Sequence, residues 1–115
     1  MLESVEKRCV VINNMDLLAK KWALHILIEF WKKPKQNLKF SYFSKAFPSI
    51  TSRVVSMRLK ELCEIGVIRK EVVNKSIKYV LTDHGYELLT IYNGFWQWSV
   101  DGADTEKYTT NCAKV

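Results

Sequence analysis

The sequence predicts a mainly α-helical domain with one small β-hairpin, in the order of four helices, two strands and a final helix. Three observations predict it. Apolar residues recur at helical spacing through residues 10–31 and again through residues 52–65. Beyond Gly66 the period shortens to two, in two short runs separated by the turn-type residues Asn74, Lys75 and Ser76. After Thr82 the helical period returns. A length of 115 residues suits one domain.

In the first segment Val11, Met15, Leu18 and Trp22 form one apolar row, and Leu24, Leu27, Ile28 and Trp31 form another. The two rows fit one bent helix or two abutting ones. Pro34 ends the segment, because proline disfavours helix in the residue before it. Residues 40–47 form a short helix with Phe40, Phe43 and Phe47 on one side, and Pro48 and Ser49 turn the chain. Thr51 is a good N-cap for a helix over residues 52–65, whose buried row is Val55, Leu59 and Leu62. Gly66 stands where a helix end needs left-handed backbone. Ile68, Lys70 and Val72 share one face of the first strand, and Ile77, Tyr79 and Leu81 one face of the second. Thr82 caps the last helix, Asp83 complements its dipole, and the helix runs to about Trp98. Residues 1–100 therefore make one domain, and residues 101–115 a polar tail expected to be poorly ordered. Two helices joined by a tight turn and followed by a hairpin describe a winged helix-turn-helix.

The net charge is +6, but its distribution says more. Residues 32–80 hold twelve basic and three acidic side chains, an excess of nine positive charges, while the remainder holds six basic and nine acidic. A basic centre between mildly acidic ends points to an anionic partner for that centre, against the alternative of a solvated lysine-rich surface. Hydrophobic residues make up 48% of the chain, more than a small monomer hides easily, which points to a second buried surface such as a dimer interface.

The order and spacing of several segments together resemble the HxlR-type regulators, relatives of the MarR group. Lys21-Trp22 followed by Leu24 and Ile26-Leu27 is similar to the family's Lys-Trp helix. Phe40, Phe43 and residues 48–51 resemble its first helix-turn-helix element and turn, and residues 58–62 followed by Gly66 its recognition-helix signature. Tyr79, Leu81-Thr82 and Gly85 resemble the strand and helix start after the wing. Cys9, twelve residues before Lys21, has the spacing of a cysteine near the start of many members. The resemblance covers residues 9–98 and implies a homodimeric DNA-binding regulator that dimerises through helices from both ends of the chain.

Candidate site residues follow. On the helix over 52–65, Arg53, Ser56, Met57, Lys60 and Glu64 stand opposite the buried row. Arg53, Ser56 and Lys60 can bond base edges or phosphates, and Met57 can meet a thymine methyl, as a recognition helix would; the plainer reading is a solvated face. Arg58 flanks the buried row and either pairs with Glu61 or Glu64 or touches phosphate. Thr51 and Ser52 start the helix where backbone N–H groups favour a phosphate, besides simple capping. Lys39, Ser41 and Lys45 are backbone-contact candidates, and Lys75 and Lys78 are wing contacts or merely exposed turn lysines. The last helix is apolar nearly all round, so Leu88, Ile91, Tyr92, Phe95 and Trp98, with Met15, are expected at a dimer interface; the alternative is a ligand pocket lined by Trp96 and Trp98. Cys9, beside Lys7 and Arg8, is either a redox sensor or a small buried residue. Cys63 reads as packing, Cys112 as an exposed tail thiol, His25 as a core or interface histidine, and Trp22 and Trp31 as core.

The expected function is a cytoplasmic transcription regulator that binds a palindromic operator on double-stranded DNA as a homodimer, without cofactor or membrane. The rival is a winged-helix protein-interaction module of a transcription or repair assembly, which has no need of the basic centre. There is no Ser/His/Asp set, no recognisable carboxylate pair and no glycine-rich phosphate loop, which speaks against an enzyme. Three cysteines and two distant histidines share no metal-ligand spacing, and an odd count of cysteines does not make a complete disulfide framework. The longest apolar stretch, residues 22–31, is too short to span a membrane. An effector, if there is one, is not legible.

Overall fold

The computed structural model describes residues 4–32, 37–104 and 106. Ser4 caps the first helix, its hydroxyl accepting from the Lys7 amide at 3.2 Å. Helix α1 spans Val5–Leu18 and α2 spans Ala23–Lys32. They are two helices, because the backbone at Trp22 turns left-handed with φ of 78°. Such a conformation in a tryptophan costs on the order of 1–3 kcal/mol and persists only where its surroundings hold it. Here the hold comes from the helix over residues 52–64. Arg58 Nε donates to the Lys21 carbonyl at 2.9 Å, and Glu61 takes ion pairs from Arg58, at 2.6 Å, and from Lys20. Arg58 is thus a structural clamp rather than a free cation.

Glu61 makes that clamp sensitive to acid. Burial alone would raise its carboxyl, but the bonds and charges of Lys20 and Arg58 outweigh it and hold the group below its ordinary value. A carboxylate depressed in the folded state adds stability above its unfolded pKa and loses it as pH falls through the folded one. Glu61→Gln should therefore cost about 1–2 kcal/mol at neutral pH and progressively less in acid. Thermal melts between pH 7 and pH 3 measure this, and a constant difference across that range would refute it.

Strand β1, Leu38–Lys39, precedes α3, Phe40–Ala46. This strand has no counterpart in the sequence reading, since two residues are too few to show an alternating pattern. The turn at Pro48 and Ser49 closes with the Ile50 amide donating to the Phe47 carbonyl at 3.1 Å. Thr51 then caps α4, Ser52–Glu64, accepting from the Val54 amide at 3.3 Å. Val55, Leu59 and Leu62 are fully buried, as their spacing predicts. Gly66, with φ of 80°, leads into β2, Ile68–Val73, and β3, Ser76–Leu81. Asn74 and Lys75 both have positive φ, the two-residue hairpin turn whose twist matches that of its strands. The antiparallel sheet runs β1-β3-β2. Helix α5 spans Asp83–Asp101, three residues beyond the expected end, with Thr82 as its cap accepting from the Gly85 amide at 3.0 Å.

The core gathers Ile26, Leu27 and Phe30 of α2, Phe43 of α3, the buried row of α4, and Ile68 of β2. Trp22 and Trp31 are half-buried against this core rather than inside it. His25 is exposed, which corrects the core reading: its neighbours on α2, Ile26 and Leu27, take the inner face and leave it outside with Trp22 and Phe47 at ring distances of 5.2 and 6.4 Å. Glu29 is buried instead, accepting from the Tyr42 hydroxyl at 2.9 Å and pairing with Lys32. The Pro34 helix stop, Cys112 and most of the tail lie outside the described residues.

Candidate nucleic-acid interface

Helix α4 is fixed from behind by its buried row and from the side by the Arg58–Glu61 clamp, so its opposite face is held rigidly outward. Arg53, Ser56, Met57 and Lys60 are all exposed on that face. Neither Arg53 nor Lys60 has an ion-pair partner among the described residues. An arginine and a lysine held outward without partners are open to an anionic surface. Thr51 and Ser52 are exposed at the start of the helix, and Ser41 and Lys45 are exposed on α3.

Lys75 is exposed at the tip of the wing. Lys39 and Lys78 are direct partners across β1 and β3, with Glu71 opposite Lys78 on β2, so these three side chains share the outer face of the sheet. Arg69 lies on that face too and is clipped to Glu71 at 2.9 Å. The other face carries Ile68, Lys70 and Val72 beside Leu81, Tyr79 and Ile77. Only Ile68 of these six is buried, because the hairpin runs out past the core.

The candidate interface residues divide in two. Met15, Ile91, Phe95 and Trp98 are 63%, 72%, 58% and 73% exposed, large values for apolar side chains. Leu88 and Tyr92 are half-buried within their own chain, Leu88 on the core and Tyr92 edge-on to Trp31 at 6.3 Å. Val10, Val11 and Ile12 add to the apolar surface of α1. A groove of about 410 Å³ between α2 and α5 is lined by Trp31, Tyr92 and Trp96 but not by Trp98, which corrects the pocket imagined between Trp96 and Trp98. The two are two residues apart, which on a helix puts them on different faces.

Cys9 is exposed on α1 in the single chain rather than buried within it. Cys63 is half-buried against the core. Burial pushes its thiol above the ordinary value; the charge of Lys70 opposes the rise and Glu64 adds to it. Among the described residues no cluster of His, Cys, Asp or Glu can hold a metal ion, and no helix is long and apolar enough to cross a membrane.

The HxlR-like helix-turn-helix family model matches residues 17–107. The chain belongs to this family. Among its relatives, the HTH-type transcriptional regulator YvaP of Bacillus subtilis is 32% identical over 78% of this chain and 83% of its own length. YdeP of the same organism is 30% identical over 93% and 79%. The transcriptional regulator YodB of B. subtilis, in its reduced form, superposes with a TM-score of 0.71 over 80% of this chain and 90% of its own, at 21% identity, and so shares the fold. The redox regulator HypR in its reduced form superposes at 0.67 over 84% and 96%, at 27% identity. Membership in this family makes α3 and α4 the helix-turn-helix and the β2–β3 hairpin the wing of a DNA-binding regulator.

Sequence reasoning passed over two features of the domain. Lys70 and Tyr79 stand beside α4 on the inner face of the wing, and strand alternation alone does not say which face turns toward the helix. The Glu29–Tyr42 pair inside the domain also went unseen, since a glutamate in an apolar run gives no sign of its partner.

Proposed function

We propose that the protein is a sequence-specific transcription regulator that acts in the cytoplasm as a homodimer on a palindromic operator, with residues 1–100 as the working domain and 101–115 as an appended tail. The observation that carries this reading is the outward face of α4, where Arg53, Ser56, Met57 and Lys60 are exposed around two cations without ion-pair partners among the described residues. Arg53, Ser56 and Met57 read bases, and Lys60 reaches a base edge or phosphate. Thr51, Ser52, Lys39, Ser41, Lys45, Lys75 and Lys78 hold the backbone. The exposed apolar faces of α1 and α5 supply the self-complementary patch that two-fold symmetry requires.

Arg53→Ala should cost about 1–3 kcal/mol on the selected operator and relax preference at one base position. Lys75→Gln should weaken specific and scrambled duplexes alike and lower the slope of log K against log salt by about 0.9 per protomer. Titrations on both duplexes at several salt concentrations measure the two effects. Equal losses on both duplexes for Arg53→Ala would make Arg53 a backbone contact, and no binding at low salt would favour the protein-interaction module.

Cys9 is the residue we assign to a redox response. It is exposed next to Lys7 and Arg8, and the similar HypR is a redox regulator. With Cys63 and Cys112 replaced, peroxide should release DNA from the protein carrying Cys9 and leave the Cys9→Ser variant bound. Identical responses would make Cys9 structural.

A further inference from the structure

The wing departs from α4 beyond Gly66, and a cleft of about 440 Å³ opens between them. Ser56, Lys60 and Cys63 form its α4 wall, and Ile68, Lys70 and Tyr79 its wing wall, with Arg69 at the margin and its guanidinium turned to Glu71. Among the described residues no carboxylate lines it. Lys60 and Lys70 enter from opposite walls, and neither has an ion-pair partner among the described residues. The remaining polar groups are a serine hydroxyl, a phenol and a thiol. Burial raises both Tyr79 and Cys63, so both keep their protons at neutral pH. Every polar side chain facing the cleft therefore offers a proton or a positive charge, the donor set that suits a phosphate oxygen.

Position adds a second argument, which rests on the DNA-binding reading above. A helix in a major groove and a hairpin tip at the neighbouring minor groove are separated by one sugar–phosphate strand. That strand has to cross the ground between α4 and the wing. We propose that the cleft is a phosphate seat: it receives one phosphodiester of the strand running between α4 and the wing, gripped by Lys60 and Lys70 and bonded by the Tyr79 hydroxyl. Lys70 and Tyr79 are then DNA contacts on the inner face of the sheet, distinct from Lys39 and Lys78 on the outer one.

The test measures binding to a mixed-sequence duplex between 50 and 300 mM salt for the unmodified protein, Lys70→Gln and Tyr79→Phe. Lys70→Gln should lower the salt slope by about 0.9 per protomer and weaken binding about eightfold per protomer near 0.1 M salt. Tyr79→Phe keeps the ring in place and should weaken binding about threefold per protomer with no change of slope. It carries the test if Lys70→Gln folds poorly. Inorganic pyrophosphate added to the free protein separates the DNA backbone from a small phosphorylated ligand, read as amide shifts at Cys63, Lys70 and Tyr79. Loss of slope without a pyrophosphate response is the expected result. A pyrophosphate response with unchanged DNA binding in both variants assigns the cleft to a free ligand and overturns the proposal. Unchanged DNA binding without any such response overturns it equally. Failure of the unmodified protein to bind any duplex overturns the DNA reading and this inference with it.

Discussion

Replacing Ile91 and Trp98 together by glutamate should turn the protein into a monomer that no longer holds its operator. Both side chains are about three-quarters exposed in the single chain, at 72% and 73%. Neither belongs to its core, so the substitutions leave the fold of one protomer intact. In a dimer each side chain of this size contributes about 1.5–3 kcal/mol when it is covered, and two copies of two charges would be buried without partners. One dimer engaging two half-sites binds some 10²–10⁴ times more tightly than one half-site engaged alone. Operator affinity should fall by about that factor. Light scattering at micromolar protein, with circular dichroism as a check of folding, decides the first point, and a titration on a full and a half operator decides the second. A double variant that remains a dimer, or an unmodified protein that is a clean monomer, would falsify the assignment of this surface.

Gly85→Ala should be the most damaging of the four glycine-to-alanine changes in the chain. A Cβ at Gly85 would lie 2.0 Å from the Val67 carbonyl oxygen and 2.7 Å from Leu81 Cδ1. The Leu81 methyl can turn aside, but Val67 is backbone. It is fixed on both sides, its amide donating to the Leu62 carbonyl at 3.2 Å and its carbonyl accepting from the Thr82 amide at 3.1 Å. The helix must move away from Val67, and overpacking that displaces backbone costs about 3 kcal/mol or more. The same junction sets the angle at which the wing leaves the body, since Thr82 also donates to the Gly66 carbonyl. Denaturant unfolding should show the loss of stability, and DNA binding should fall below what the unfolded fraction explains. A melt within 2–3 °C of the unmodified protein, about half a kcal/mol for a domain of this size, would show that α5 yields freely there. Gly102→Ala is the matched control, because a Cβ there meets only the Trp98 carbonyl oxygen at 3.6 Å, an ordinary contact.

The helices and the hairpin were legible in the sequence because each is specified within its own segment. The row of Val55, Leu59 and Leu62 fixes the inner face of α4, and so its outer face with Arg53 and Lys60, whatever the rest of the chain does. Thr51 and Thr82 cap their helices through atoms three residues away. The change of period at Gly66 likewise needs no distant partner. The family resemblance carried by residues 9–98 was legible for the same reason, since it rests on these local signals in their order.

What lay outside the sequence reading depends on partners far along the chain. Residues 10–31 fit one helix or two, and the decision came from Arg58, 37 residues beyond the Lys21 carbonyl it holds. The exposure of His25 and the burial of Glu29 follow from which side of α2 meets α3 and α4. Strand β1 is two residues long and exists only because β3 lies beside it. Lys70 became part of a site when the hairpin placed it across a cleft from Lys60. The sequence by itself determined the elements, their outward faces and the basic centre, all set by side-chain period and local capping. The tertiary structure alone decided the kink at Trp22, the close approach at Gly85 and the cleft between helix and wing, because each is a meeting of backbones or side chains that no local period encodes.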